Sequence, residues 1–448
     1  MKQANAGGFP AAMLVTTYCA ALVVPLAVAW SERLPTRGFA TEFSSGLAMS
    51  CLVMLLAQFL TSGRFESTTG RAGIDLTMRA HQLAARVLAA LLVLHPLLYA
   101  LPAARAGAGL GAAAVAGLFS APRFLTGVLA WILLLALVFS AILRDRLPVR
   151  YEIWRATHGI GSLAVAALGV HHVLTAGRYA ATSPMLTGLW IGLLAAALLS
   201  LVHVYAIIPL LQLRRPWRIS GVKRAGDRLW ELSVDPAAAF VPRFTAGQFF
   251  WLTLDRSPFS ITEHPFSVAS APAELPRLRF LIKESGDFTN RLGSLPVGAR
   301  AYLHGPRGNF TLAGRDAAGI GLVAGGVGLA PILSILRQLR ADHDPRPVRL
   351  LVGNRHAGQI VYADEIAAMA KVLDLKVRYI LSDPAAGWRG GRGTVSRAEL
   401  DALFDAPDRE HWVYFVCGPP PMMDTVEHDL RSMGVPPMSI ISERFCRR

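Results

Sequence analysis

Two stretches of this chain place ionisable side chains where water would be scarce. RAHQLAARVLAALLVLHPLLYA, residues 79–100, carries His81 and His95 among mostly apolar neighbours, and THGIGSLAVAALGVHHVLTAG, residues 157–177, carries His158, His171 and His172. Such groups are expensive in a bilayer and are usually functional. His81 to His95 and His158 to His172 are both steps of fourteen residues. Fourteen helical residues turn back to within roughly 40° of the starting face and rise about 21 Å. Two parallel helices so built set His81 level with His158 and His95 level with His172. Facing pairs of neutral imidazoles are what two stacked six-coordinate haems require, one axial ligand from each helix. A thirteen-residue step would make His171 the ligand, but it lies about 140° off the face, which favours His172. The plainer alternative is polar residues packed between helices or lining a proton path. A lone histidine fits that reading best, and His203 keeps it, whereas matched spacing on two helices favours ligation.

The elements that carry these residues follow from charge. At 448 residues and 53% hydrophobic, the chain is too apolar for an ordinary soluble protein. Long runs without Asp, Glu, Lys or Arg approach or exceed the roughly 20 residues that span a hydrocarbon core. They predict transmembrane helices near 11–30, 44–62, 80–101, 124–143, 157–177 and 185–211, with an Ala/Gly-rich loop at 103–121. The first run could instead be a signal peptide, but one lysine precedes it, Pro25 interrupts it and no small-residue cleavage site ends it. No later run is long enough to span.

Basic residues cluster on alternate loops: Arg64, Arg71 and Arg79; Arg144, Arg146, Arg150 and Arg155; and Arg214, Arg215, Arg218, Lys223 and Arg224 after the sixth run. The positive-inside rule then puts both termini and the soluble half in the cytoplasm, under a cytoplasmic membrane. Much of the net charge of +15 is explained by these membrane-edge residues, and no nucleic-acid motif accompanies it. Cys19, Cys51, Cys417 and Cys446 show no pairing or metal spacing, as suits a reducing compartment for the soluble half.

After residue 214, RLWELSVD, QFFWLTLD, RLRFLIKE and RAYLHGP alternate apolar and polar positions, predicting a small antiparallel barrel or sandwich. From 318 onward strands such as AGIGLVAGG and PVRLLVGNR alternate with helices such as LAPILSILRQLR, predicting an α/β domain with a mostly parallel sheet and ligands at its carboxyl edge. The expected division is 1–213 membrane haem domain, 214–314 flavin barrel and 315–448 nucleotide domain.

EHPFSVAS, KESGDFTNRL and HGPRGNF each join strand to turn in the first region. In VAGGVGLAPILSIL, Gly325, Gly326 and Gly328 lie between a buried strand and a helix start, where free N–H groups and the helix dipole receive a pyrophosphate. VCGPPPMM closes a later strand. With these motifs in this order, nearly the whole chain resembles the ferric reductase and NADPH oxidase superfamily: a six-helix membrane domain joined to a ferredoxin-reductase-type FAD and NAD(P)H module. The resemblance implies that His264, Pro265, Phe266 and Ser267 line the flavin, with Ser267 near the reactive ring. It implies that Ser270, Lys283, Gly286, Thr289, Gly305 and Gly308 shape the rest of the FAD site. Gly325, Gly326, Gly328 and Pro331 look like the dinucleotide loop, and Cys417, Gly418 and Pro419 like the family's turn beside the nicotinamide. Phe445, in ISERF, looks like the aromatic that covers the isoalloxazine until nicotinamide displaces it, although three residues follow it here. Arg355, ending a strand of the parallel sheet, suits a 2′-phosphate and tilts the expectation to NADPH over NADH. Cys417 as a buried thiol, Phe445 as a core residue and Arg355 as a surface cation are the simpler alternatives.

The expected activity is electron transfer from cytoplasmic NAD(P)H through FAD and two b-type haems to an outer acceptor, dioxygen or a ferric chelate, with Arg79, Arg86, Arg155 and Arg178 as candidate propionate partners. The alternatives are a relay subunit serving a periplasmic partner through the 102–122 loop, and a haem-free transporter or scaffold.

Overall fold

A computed structural model describes residues 8–70 and 73–444, which form two compact units, one from Gly8 to Ile207 and one beginning at Ile208. Among the described residues six helices are long and apolar enough to cross a membrane. In the first unit the main helices are α1 (Ala11–Ser31), α2 (Phe39–Ala57), α3 (Ile74–Ala106), α4 (Ala108–Ser120), α5 (Leu125–Ile142), α6 (Tyr151–Ala176) and α7 (Pro184–Val202). The second and third begin at Phe39 and Ile74, more than a turn earlier than the charge-free runs suggest, because Glu42, or Asp75 and Arg79, do not interrupt backbone bonding. The region expected to be a loop, 103–121, is largely helix α4. Its alanines favour helix strongly enough to carry the intervening glycines.

The centre of this bundle is packed by Cys51, Leu88, Val165, Ala166, Leu186 and Trp190, all nearly or wholly inaccessible. The apolar side chains on the outside stay exposed, as a lipid-facing surface requires. Pro96 lies inside α3, directly after His95. Lacking an N–H, it cannot bond to the carbonyl four residues back. That carbonyl, of Leu92, instead accepts a hydrogen bond from Trp131 Nε1 of α5 at 3.0 Å. The proline therefore ties α3 to α5 beside a histidine of interest. Ser183 caps α7, its hydroxyl accepting from Leu186 N at 3.3 Å, and a π-helical turn, His203–Ile207, follows α7.

The second unit holds two six-stranded sheets. The first comprises β1 (Trp217–Gly226), β2 (Leu229–Pro236), β3 (Phe249–Leu254), β4 (His264–Ser267), β5 (Leu278–Lys283) and β6 (Arg300–Arg307), in the order β4-β3-β6-β1-β2-β5. Its pairs are antiparallel. The alternating inward residues Leu232, Val234, Phe250, Leu252 and Phe280 form its core. Strand pairing does not close this sheet into the expected barrel. Its edges β4 and β5 meet through a single bridge, Val268 to Phe280, because β4 has only four residues to offer a partner.

The second sheet comprises β7 (Ile320–Gly325), β8 (Val348–Asn354), β9 (Leu375–Leu381), β10 (Gly391–Arg392), β11 (Val413–Cys417) and β12 (Ile440–Ser442). It is parallel throughout, ordered β10-β9-β8-β7-β11-β12. Helices α8 (Leu329–Ala341), α9 (Ala363–Met369), α10 (Arg397–Leu403) and α11 (Pro420–Ser432) connect its strands. The chain reverses direction across the sheet between β7 and β11, which makes the carboxyl ends of those strands the place for a ligand.

Helix α8 is anchored to the first sheet by two residues one turn apart. Ser334 Oγ donates to the carbonyl of Ser270 at 2.7 Å. Arg337, fully buried, donates to the carbonyl of Ala269 at 2.8 Å and to both carboxylate oxygens of Glu365 at 2.8 and 2.7 Å. Removing one partner of a buried pair costs about 3–5 kcal/mol. Glu365 stays 26% exposed, so Arg337→Met is expected to fall near the low end, about 3 kcal/mol. It is checked as an earlier loss of bound flavin on heating.

Candidate functional site

Within the membrane unit, His81 and His95 both lie on α3, and His158, His171 and His172 on α6. Each helix carries its pair fourteen residues apart, His81 with His95 and His158 with His172. His171 is exposed, its Nδ1 lying 3.2 Å from Thr126 Oγ1, whereas His172 is partly buried.

The surroundings of these rings suit neutral imidazoles. His95 Nδ1 lies 3.1 Å from the carbonyl oxygen of Ser44 and 2.8 Å from its hydroxyl. Ser44 Oγ donates in turn to the carbonyl of His95 at 2.8 Å. A carbonyl only accepts, so Nδ1 carries the proton and Nε2 keeps a lone pair for a metal. His172 fits a notch in α5 left by a missing side chain. A Cβ on Gly127 would lie 2.6 Å from His172 Nδ1 and 2.8 Å from its Cγ. The Nδ1 atoms of His81, His158 and His172 are buried without hydrogen-bond partners. An axial haem ligand needs only its other nitrogen at the iron, and these residues fit a haem at each level.

Of the arginines offered by the sequence as anion partners, Arg178 is engaged elsewhere. It donates to Glu42 at 3.2 Å and to the carbonyl of Pro35 at 2.7 Å, and Glu42 also accepts from Tyr179. Arg79 and Arg86 are exposed. His203 is exposed and stacks on Phe65 at 6.0 Å. Sequence reasoning missed Ser44, Gly127 and Trp131. A glycine in the first turn of a span was a usable sign of close approach for Gly127. Nothing in sequence links Ser44 to a residue fifty-one positions away.

In the second unit the two glycine turns meet. A Cβ on Gly328 would lie 2.1 Å from the carbonyl oxygen of Cys417, and one on Gly418 would lie 2.9 Å from Gly325 Cα. The start of α8 therefore lies directly against the end of β11, with Gly326 at their open edge. Pro331 is buried in the first turn of α8, Cys417 is 4% exposed, and Pro419 precedes α11. Arg355 follows β8 with its guanidinium exposed, 3.8 Å from Asp383.

Along the first sheet, His264, Pro265, Phe266 and Ser267 form β4. Phe288 collects two of these rings, His264 at 4.3 Å and Phe266 at 5.9 Å. Ser267 is nearly buried beside Phe249. Ser270 is wholly buried, its hydroxyl accepting from Arg279 N at 3.0 Å; its contacts are those of a structural tie. Thr289 Oγ1 accepts from Ser285 N at 2.6 Å and donates to the carbonyl of Gly286 at 3.2 Å, fixing that turn. Lys283 ends β5 exposed. Gly305 lies against Phe250, and Gly308 against Glu443 and Phe249. Phe445 and Cys446 lie outside the described residues.

Two family models match this chain. Residues 46–169 match the ferric reductase like transmembrane component, and residues 322–428 match the oxidoreductase NAD-binding domain. The NADH-cytochrome b5 reductase 1 of Laccaria bicolor is 31% identical over 172 residues, covering 37% of this chain and 56% of that protein. The reductase component of propane 2-monooxygenase from Gordonia sp. (strain TY-5) is 30% identical over 233 residues, 51% of this chain and 66% of that protein. The chain spans between about half and two thirds of the length of these curated relatives. It is a multi-pass membrane oxidoreductase with a nicotinamide-nucleotide-binding reductase module. Its two matched regions are those of the fused ferric reductase and NADPH oxidase architecture.

Proposed function

We propose that this protein takes electrons from NAD(P)H in the cytoplasm and delivers them across the membrane, to dioxygen as superoxide or to chelated ferric iron. Each NAD(P)H leaves as NAD(P)⁺ and a proton, and its two electrons reduce two molecules of one-electron acceptor. FAD and two b-type haems, when bound, supply the change from hydride to single electrons and a path through lipid. The chain's own residues do the holding. His81 and His158 grip at the inner level, His95 and His172 at the outer, and Ser44 keeps the His95 lone pair free. The amino end of α8, with Gly325, Gly326 and Gly328, receives the pyrophosphate. Cys417, Gly418 and Pro419 set the nicotinamide against a flavin lined by His264 to Ser267, and Lys283, Gly286, Thr289, Gly305 and Gly308 shape the remainder. Phe445 covers the flavin ring. The three-part division at 213/214 and 314/315 gives each cofactor its own domain, and the basic loops fix the sidedness.

The observation that supports this reading is the matched fourteen-residue spacing of His81/His95 and His158/His172 in a chain whose residues 46–169 match a ferric reductase component. Arg355 is assigned to the 2′-phosphate. Arg355→Ala is expected to raise KM for NADPH roughly tenfold, the order expected for one exposed charge-assisted contact, and to leave NADH little changed. Steady-state kinetics with both nucleotides check this.

The acceptor is identified by NAD(P)H consumption with and without oxygen, with and without a ferric chelate, and with a superoxide-specific probe. Consumption that needs oxygen and yields superoxide supports the oxidase. Anaerobic consumption restored by the chelate supports the reductase. A haem-loaded protein that consumes NAD(P)H with neither acceptor points to a relay serving a protein partner.

A further inference from the structure

An arginine–aromatic pair stands beside each imidazole level. At the outer level the exposed Arg123 guanidinium lies 4.5 Å from the Phe124 ring centroid, and that ring lies 6.2 Å from His172; the neutral Ser44 takes the His95 Nδ1 proton as a hydrogen bond and so adds electron density to the ligand. At the inner level the corresponding cation is partly buried. Trp154 and His158 are one turn apart on α6, and their rings stack with centroids 5.1 Å apart and planes at 25°. The Arg144 guanidinium, from the connection after α5, lies 5.6 Å from the Trp154 ring centroid and 5.6 Å from that of Tyr151. Arg144 Nε and Trp154 Nε1 are both buried without hydrogen-bond partners. The charge lies beside both aromatic rings, in a setting where cation–π attraction is strengthened by loss of water.

The geometry points to Arg144, held in place through Trp154, as a positioning residue that raises the reduction potential of the inner His81/His158 centre. This rests on the haem-ligand reading above. A fixed positive charge near a redox iron favours the form with one more electron, and poor screening in a low-dielectric site preserves the effect. At the outer level Ser44 biases its centre the other way, and the exposed Arg123 is screened by water.

The test is a redox titration of the full-length, haem-loaded protein, followed by absorbance. Arg144→Gln is expected to move one of two midpoints to more negative potential and leave the other in place. The same titration in the His172→Ala background identifies the moving midpoint as the inner one. Arg144→Lys, which keeps the charge, should restore most of the shift. Trp154→Leu, which frees the guanidinium, should move the same midpoint in the same direction and serves if Arg144→Gln does not assemble. Unchanged midpoints, or two that move together, would overturn the inference. Absence of haem bands from the unmodified protein would instead overturn the ligand assignment on which it rests.

Discussion

His172→Ala should yield a folded protein with one haem per chain instead of two, and His171→Ala a protein with both. The two residues are adjacent in sequence and differ in where α6 turns them. His172 sits in the Gly127 notch. His171 is exposed beside Thr126. Loss of a residue that only supports a metal ligand costs about 10–100-fold in metal affinity or activity, so loss of a ligand itself should exceed about 100-fold in electron delivery to the outer acceptor. Flavin reduction by NAD(P)H, which happens before electrons reach the membrane, should keep its rate. Haem per polypeptide from the pyridine haemochrome spectrum, measured alongside rapid flavin bleaching, checks both halves. Two haems retained in His172→Ala and one in His171→Ala would reverse the assignment.

The second large effect is expected from Gly328→Ala. Its new Cβ would lie 2.1 Å from the Cys417 carbonyl oxygen, 2.5 Å from the carbonyl carbon and 2.9 Å from Gly418 N. All three are backbone atoms at the end of a central strand, and no rotamer relieves the clash. Overpacking of this kind costs roughly 1–3 kcal/mol, and here it is relieved by parting the two turns that should hold the dinucleotide. We expect NAD(P)H-dependent flavin reduction to fall at least about 10-fold, the equivalent of roughly 1.4 kcal/mol lost from a productive geometry, with haem content intact. Gly434→Ala, after α11 and away from both turns, is the control. Its Cβ meets nothing, although φ is +87°, so it carries only the left-handed backbone cost of roughly 1–2 kcal/mol and should weaken flavin reduction less. Stopped-flow flavin bleaching measures both, and equal rates in the two variants would contradict the packing account.

Much of this was legible in sequence because lipid and the helix impose simple periodicities. A span must be long and nearly free of charge, so the six helices could be written down beforehand; fourteen residues bring a helix back nearly to the same face, which is the basis for proposing two histidine levels. Gly325 to Gly328 and Cys417 to Pro419 were legible as turns because they interrupt buried strands. What was not legible depends on pairing across the chain. Ser44 meets His95, Trp131 reaches the carbonyl that Pro96 leaves free, and Arg337 reaches Ala269, each over a separation with no periodic signature. The open edge between β4 and β5 likewise depends on how far two distant strands overlap. Helix α4 was misread because glycine suggested a loop while alanine settled the conformation. The Trp154 and His158 stack was within reach, since four residues on a helix always bring two side chains together, but the cation above it comes from another element.

The most direct test of the central claim is the reduced-minus-oxidised absorbance spectrum of the purified, FAD-loaded protein, reduced anaerobically with NAD(P)H. The account predicts b-type, bis-histidine bands at two haems per chain, both reduced by the nucleotide. A folded protein whose flavin is bleached by NAD(P)H but which carries no haem would contradict it.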